Sequence, residues 1–185
     1  MRKPLPAILF FTDPVRTPDP EAAAARLPPG SGVVLRAFGA ADAPMRALRL
    51  RAVTRRRRLK LLIGADAALA RATGADGVHL PQRLAGQAKR LKAAHPRWIV
   101  TVAAHGLTAA RRGIAGGADA VVVSTAFASA SPSAGRPLGP VRLAALARKV
   151  PGPVYALGGV NNKNARRLLA SGVVGVAAVE GLART

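Results

Sequence analysis

Eight short apolar runs recur along the chain, at residues 7–11, 32–35, 59–63, 77–80, 98–102, 120–123, 154–157 and 173–179. Within each run apolar residues follow one another with little polar alternation, the pattern of parallel strands buried on both faces. Segments with helical spacing fill most of the gaps. Residues 44–56 open after Asp42, an expected N-cap, and set Met45, Leu48 and Ala52 on one stripe with arginines on the other. Residues 66–73 end at Gly74, a C-terminal cap. Residues 83–95 turn Leu84, Ala88, Leu91 and Ala94 inward until Pro96 stops them. Residues 107–115, 141–149 and 164–170 follow the same design, with Pro151 ending the second and Ser171-Gly172 the third. The weakest helical signal is 21–26, a turn or two before Pro28-Pro29-Gly30, and the longest irregular piece is 128–140, rich in Ser, Pro and Gly.

Strand signals alternating with helices predict a parallel α/β fold, and eight of them suit a closed (β/α)8 TIM barrel, which leaves no sheet edge. With 185 residues the chain is one domain, and its barrel is compact with shortened helices against the usual ~250 residues. A doubly wound open sheet is the alternative, but no G-x-G-x-x-G follows the first strand, where Thr12-Asp13-Pro14 stands instead. The repeated Gly-Ala-Asp at 74–76 and 117–119 fits short helix-to-strand turns of a barrel.

Composition narrows the chemistry. There is no cysteine, so disulfides, thiolate nucleophiles and cysteine–metal sites are excluded. No apolar run reaches the roughly 18–20 residues of a membrane span. The start, with a basic pair and an apolar run broken by Pro4 and Pro6, lacks a small-residue cleavage site, so no signal peptide is expected and the expected location is the cytoplasm. The formal charge of +21 is large, and 23 of the 29 cations are Arg. Its densest cluster, Arg55–Arg58 and Lys60, leads straight into a strand signal, and none of the chain's six aromatics is interleaved with it. A base-stacking surface is therefore unsupported, and nucleic acid is not the expected partner.

A barrel places its chemistry at the C-terminal ends of the strands. There the sequence supplies Thr12-Asp13, Arg36, Gly64–Asp66, His79, Gln82, His105, Ser124-Thr125, Gly158-Gly159 and Glu180-Gly181. The glycine pair follows the seventh strand, and the loops after strands seven and eight are the usual barrel phosphate site, where glycines let backbone N–H groups approach an anion. A tight turn with no ligand is the competing reading. His79 is expected as a satisfied inward-facing residue and His95 as structural. Asp13 is expected to cap the turn after strand one. Asp76 and Asp119 precede strands and belong to the opposite, stability face.

These residues in this order resemble the thiamine phosphate synthase/TenI family nearly end to end. The resemblance rests on F-F-T-D at 10–13, V-V-L-R at 33–36, G-A-D-G-V-H-L-P-Q at 74–82, G-A-D-A-V-V-V-S at 117–124, Y-A-L-G-G-V at 155–160 and S-G-V-V-G-V-A-A-V at 171–179. It implies a barrel of thiamine biosynthesis. In the synthase branch, hydroxymethylpyrimidine diphosphate is condensed with a thiazole phosphate and diphosphate leaves, with Mg²⁺ held by carboxylates.

Several positions depart from that pattern. The family's second strand reads Q-x-R-x-K, and the matching places hold Val34, Arg36 and Phe38. The third strand should end Asn-Asp, but Gly64-Ala65 stands there, with Asp66 one place late. The aspartate expected after G-V-H-L-G-Q falls at Leu84, and Pro81 replaces the glycine. Both expected metal carboxylates are thus missing, and neither a metal site nor a cofactor is expected. The loop after strand six should read T-x-T-K; Ser129, Ser131 and Pro132 keep hydroxyls but no lysine. Glu180 stands where a small residue is usual. The TenI branch, which includes thiazole tautomerases, needs no metal, but its histidine after strand six falls at Thr125. His105 is the candidate substitute, against a helix-capping or solvated loop histidine.

The expected catalytic residues are therefore Arg36, His105, Ser129 and Ser131. Gly158, Gly159, Glu180 and Gly181 are the expected phosphate-binding residues. Three functions stay open: a thiamine-pathway transferase with a degenerate metal and diphosphate site, a noncatalytic or tautomerase-like relative binding a thiazole or pyrimidine phosphate, and a basic scaffold protein.

Overall fold

A computed structural model of the chain describes residues 4–37, 39–129, 131 and 135–180. Eight parallel strands close on themselves in sequence order. They are β1 (Ile8–Phe11), β2 (Gly32–Leu35), β3 (Lys60–Gly64), β4 (Gly77–Leu80), β5 (Ile99–Ala104), β6 (Ala120–Ser124), β7 (Val154–Leu157) and β8 (Gly175–Ala178). β8 pairs back onto β1 with Ile8 opposite Val176, so no strand edge is left open.

The helices are α1 (Pro20–Ala25), α2 (Ala43–Arg56), α3 (Ala67–Ala72), α4 (Ala88–Ala94), α5 (Leu107–Ala115) and α6 (Gly139–Lys149). They are short, as the chain length requires. Two segments expected as α-helix differ. The first part of 83–95 winds as a 3₁₀ helix, Gln82–Gln87, before α4. The segment after β7 is a 3₁₀ helix of four residues, Ala165–Leu168. Among the described residues no helix is long and apolar enough to cross a membrane.

The strand pleat sorts the core into two layers. Leu9, Phe11, Val34, Leu62, Ile99, Ala120, Val122, Tyr155 and Ala177 fill the barrel, and the alternate positions pack outward beneath the helices. Tyr155 is the largest side chain within, and its hydroxyl donates to the Pro6 carbonyl at the barrel's lower end. Both strand faces are apolar for this reason, which is why the sequence shows runs rather than alternation.

The helix α2 corrects the expected stripe. Ala47, Leu50, Val53 and Thr54 are buried, whereas Met45 is 56% and Leu48 52% exposed. The inward stripe is thus Ala47, Leu50, Val53 and Thr54, in place of the one expected. Ala94 is likewise exposed, while Ala88 and Leu91 are buried. Asp42 does sit at the N-cap of α2, but its carboxylate makes no cap bond and pairs instead with Arg46 Nε at 2.7 Å.

The Gly-Ala-Asp repeats have a structural role at the lower face. Asp76 accepts the Leu61 N–H and pairs with Arg51 at 2.8 Å, and Asp119 accepts the Val100 N–H and pairs with Lys92 at 3.0 Å. Each carboxylate thereby ties the start of one strand to its neighbour, away from the upper mouth.

Candidate active site

The same pleat that fills the barrel also aims side chains at the mouth. On β2, Val34 points in and Leu35 out, so Arg36 just past the strand falls on the inner side. On β6, Ala120 and Val122 point in, which gives Ser124 the same parity. β5 runs beside it with Ala104 opposite Val123, so His105 and Ser124 are the next pair of places along.

A cavity of about 340 Å³ opens there. Its walls include Arg16, Arg36, Ser129, Ser131, Gly158, Gly159 and Glu180, together with Ser124 and Asn161. Arg36, both serines, both glycines and Glu180 had been expected to share a site. His105 is absent from the wall and reaches it through Ser124, whose Oγ lies 3.0 Å from His105 Nδ1. Gln82 Oε1 accepts the His105 backbone N–H at 3.1 Å. Gly181, Phe38 and Pro132 lie outside the described residues.

Gly158 and Gly159 take φ of +98° and +62°, a region open to glycine at little cost. A Cβ on Gly159 would run into the Ala128 carbonyl oxygen, and one on Gly158 would come within 2.8 Å of the Thr125 methyl. The cause is the chain beyond β6, which stays paired with β7: the Ala126 and Phe127 N–H groups donate to the Leu157 and Gly158 carbonyls. Asn164 Nδ2 donates to the Gly159 carbonyl and holds the turn from the other side. Ser129 Oγ accepts the Ser131 N–H at 3.3 Å.

Along the rim from the glycines, on the loops after β8, β1 and β2, runs a chain of charges. Asp13 Oδ1 accepts the Val15 and Arg16 N–H groups, the capping role expected of it. Its Oδ2 meets Arg16 at 3.3 Å and Arg36 at 2.9 Å. Arg16 in turn stands 3.6 Å from Glu180. Burial pushes the Asp13 carboxyl up, but the Arg16 and Val15 hydrogen bonds and the Arg16 charge outweigh it and hold the group below its ordinary range. For Arg36, burial lowers the pKa, the Asp13 charge opposes that, and Arg16 adds to it. Arg36 is also fixed by donating Nε to the Thr12 carbonyl and by lying over the Phe11 ring. Two guanidiniums thus face two carboxylates, so the mouth is locally balanced on a chain of formal charge +21.

The other histidines are occupied elsewhere. His79 is 8% exposed, bonds Thr101 Oγ1 through Nδ1 and meets Phe11 edge-to-face. Burial, aided by Arg36, lowers its pKa to about 3, so the ring is neutral. His95 stacks on Trp98 at the lower face.

The two carboxylates at the mouth, Asp13 and Glu180, are both paired with arginines. Asp66 Oδ1 caps α3 by accepting the Leu69 N–H at 2.8 Å, and Leu84 packs against the core. Among the described residues no three His, Cys, Asp or Glu side chains cluster in a way that would hold a metal ion.

Arg16 is not among the residues the sequence points to. It lies in a loop with no motif, and its only signal is an aspartate three residues earlier able to fold the loop back.

Comparison with known proteins agrees with this layout. Residues 10–182 match the TMP-TENI family model, thiamine monophosphate synthase. A putative thiamine-phosphate synthase of Geobacter sulfurreducens is 34% identical over 134 residues, 72% of this chain and 63% of that protein. The chain thus spans under two thirds of that relative. A thiamine-phosphate synthase of Alcanivorax borkumensis is 33% identical over 193 residues, covering 96% of this chain and 85% of the relative. The solved thiamine phosphate pyrophosphorylase of Pyrococcus furiosus superposes with a TM-score of 0.78 at 25% identity, covering 95% of this chain and 85% of that one. The chain belongs to the thiamine monophosphate synthase/TenI family.

Proposed function

We propose that this barrel binds a phosphorylated thiazole or pyrimidine in its mouth and does so without a metal-held diphosphate. The observation that carries the reading is the shared cavity of Gly158, Gly159, Arg16 and Arg36. The left-handed turn at Gly158 and Gly159 lies in the cavity wall, held tightly against the 125–128 segment, and two guanidiniums line the same cavity, so backbone N–H groups of the turn and the arginines are the groups offered to an anion. The four-residue 3₁₀ helix after the turn adds little macrodipole, so the amides and arginines do most of the work.

The synthase reaction requires charge neutralisation on a leaving diphosphate. Asp66 is spent on a helix cap and Leu84 has no carboxylate, so among the described residues lining the cavity the positive charge for that step comes from the two arginines. The reading is a family member that holds a phosphorylated thiamine precursor with a reduced or absent capacity for condensation. Calorimetric titration with thiazole phosphate tests it. Saturable binding that is lost on removal of the phosphate is expected, and equal binding of the unphosphorylated thiazole would overturn it.

A further inference from the structure

We infer that Ser124 is a ligand-contacting residue of the mouth and that His105 acts only through it, as a positioning residue. The inference rests on the binding reading above. Ser124 closes β6 and lines the cavity, opposite Leu157 and one place before Gly158. His105 is exposed and absent from the cavity wall, yet its Nδ1 lies 3.0 Å from Ser124 Oγ. Neither group is buried, so desolvation does not require their pairing. The register of β5 and β6 produces it, and the Gln82 bond to the His105 backbone holds the loop that carries the ring.

A serine hydroxyl is a free rotor with one donor and two acceptor directions. With Nδ1 as acceptor, the Ser124 O–H points at the ring, and the oxygen's lone pairs are turned toward the cavity. The imidazole therefore decides which polarity a ligand meets beside the phosphate turn. The chemistry it suits is a heteroaromatic ring whose amino group donates to that oxygen, its phosphate lying on Gly158 and Gly159. His79 cannot serve this role, being buried and bonded to Thr101.

Titration calorimetry of thiazole phosphate and of hydroxymethylpyrimidine diphosphate against four variants tests the inference. Ser124→Ala should weaken binding of at least one ligand about tenfold, the scale of one lost hydrogen bond to a bound group. His105→Ala should weaken it similarly, and His105→Asn, whose side-chain oxygen reaches the place of Nδ1, should restore it to within about twofold. The double variant Ser124→Ala/His105→Ala should be no weaker than Ser124→Ala alone, because the histidine's effect passes through the hydroxyl. Additive losses, no rescue by Asn, or full affinity in Ser124→Ala would each overturn the pair while leaving the binding reading intact. Wild-type protein that binds neither compound would overturn the binding reading, and the pair with it.

Discussion

Arg16 and Glu180, contributed by the loops after β1 and β8, face each other at 3.6 Å across the edge of the cavity. Glu180 is 57% exposed, so the contact is weakly held and screened by solvent. A phosphate entering the mouth competes with this carboxylate for the arginine. Replacing Glu180 by Ser should therefore tighten thiazole phosphate binding, by about 0.5–1 kcal/mol once exposure is allowed for. Arg16→Ala should weaken it. Titration of both variants checks the pair, and a Glu180→Ser variant of unchanged affinity would place the phosphate away from the β8 loop.

The glycine turn gives a sharper expectation. Gly159→Ala forces a side chain into the Ala128 carbonyl at a positive φ. Loss of thiazole phosphate binding is expected, with a fall in stability of about 1–3 kcal/mol as the turn or the 126–128 segment shifts. Chemical denaturation and titration of the same variant measure both. Retained affinity would show that the ligand does not use this turn.

His79 sets an acid limit on the fold. Above pH 6.5 its ring is neutral in both folded and unfolded chains. As pH falls below 6.5, the unfolded chain takes up a proton that the folded one refuses until about pH 3, so stability is lost progressively across that window. Between pH 6.5 and 4.5 the wild type should lose about 2 kcal/mol more than His79→Asn. Asp13, whose depressed carboxyl loses its stabilising charge only as pH falls below the ordinary aspartate range, lies outside this interval. Equal acid sensitivity of the two proteins, followed by urea denaturation, would show that the ring protonates freely in the fold.

Much of this was legible in the chain. Runs such as Val33–Leu35 and Val121–Val123 are apolar on both faces because barrel and helices each bury one, and eight of them in order allow few other folds. The glycine turn could be read because its chemistry is local. The Met45–Leu48 stripe lies outward because α2 packs through Ala47, Leu50, Val53 and Thr54, and helical spacing alone does not say which of two stripes faces the barrel. Arg16 and the Ser124–His105 contact depend on loop geometry and strand register, which bring together residues with no motif in common.

Mg²⁺ offers a separate check on the mouth. With Asp66 capping α3 and no carboxylate at position 84, millimolar Mg²⁺ should give no saturable heat with the free protein. A tight site abolished by Asp66→Asn would show that the cap opens to bind metal and would restore metal-assisted condensation.

The most direct measurement is thermal unfolding of the wild type and of Gly159→Asp with thiazole phosphate, hydroxymethylpyrimidine diphosphate and their unphosphorylated forms. A phosphorylated ligand at a hundred times its dissociation constant should stabilise the wild type by about 2.7 kcal/mol, with no gain for the unphosphorylated form or for Gly159→Asp. Equal stabilisation with and without the phosphate, or none with any of these compounds, would contradict a phosphate-binding mouth.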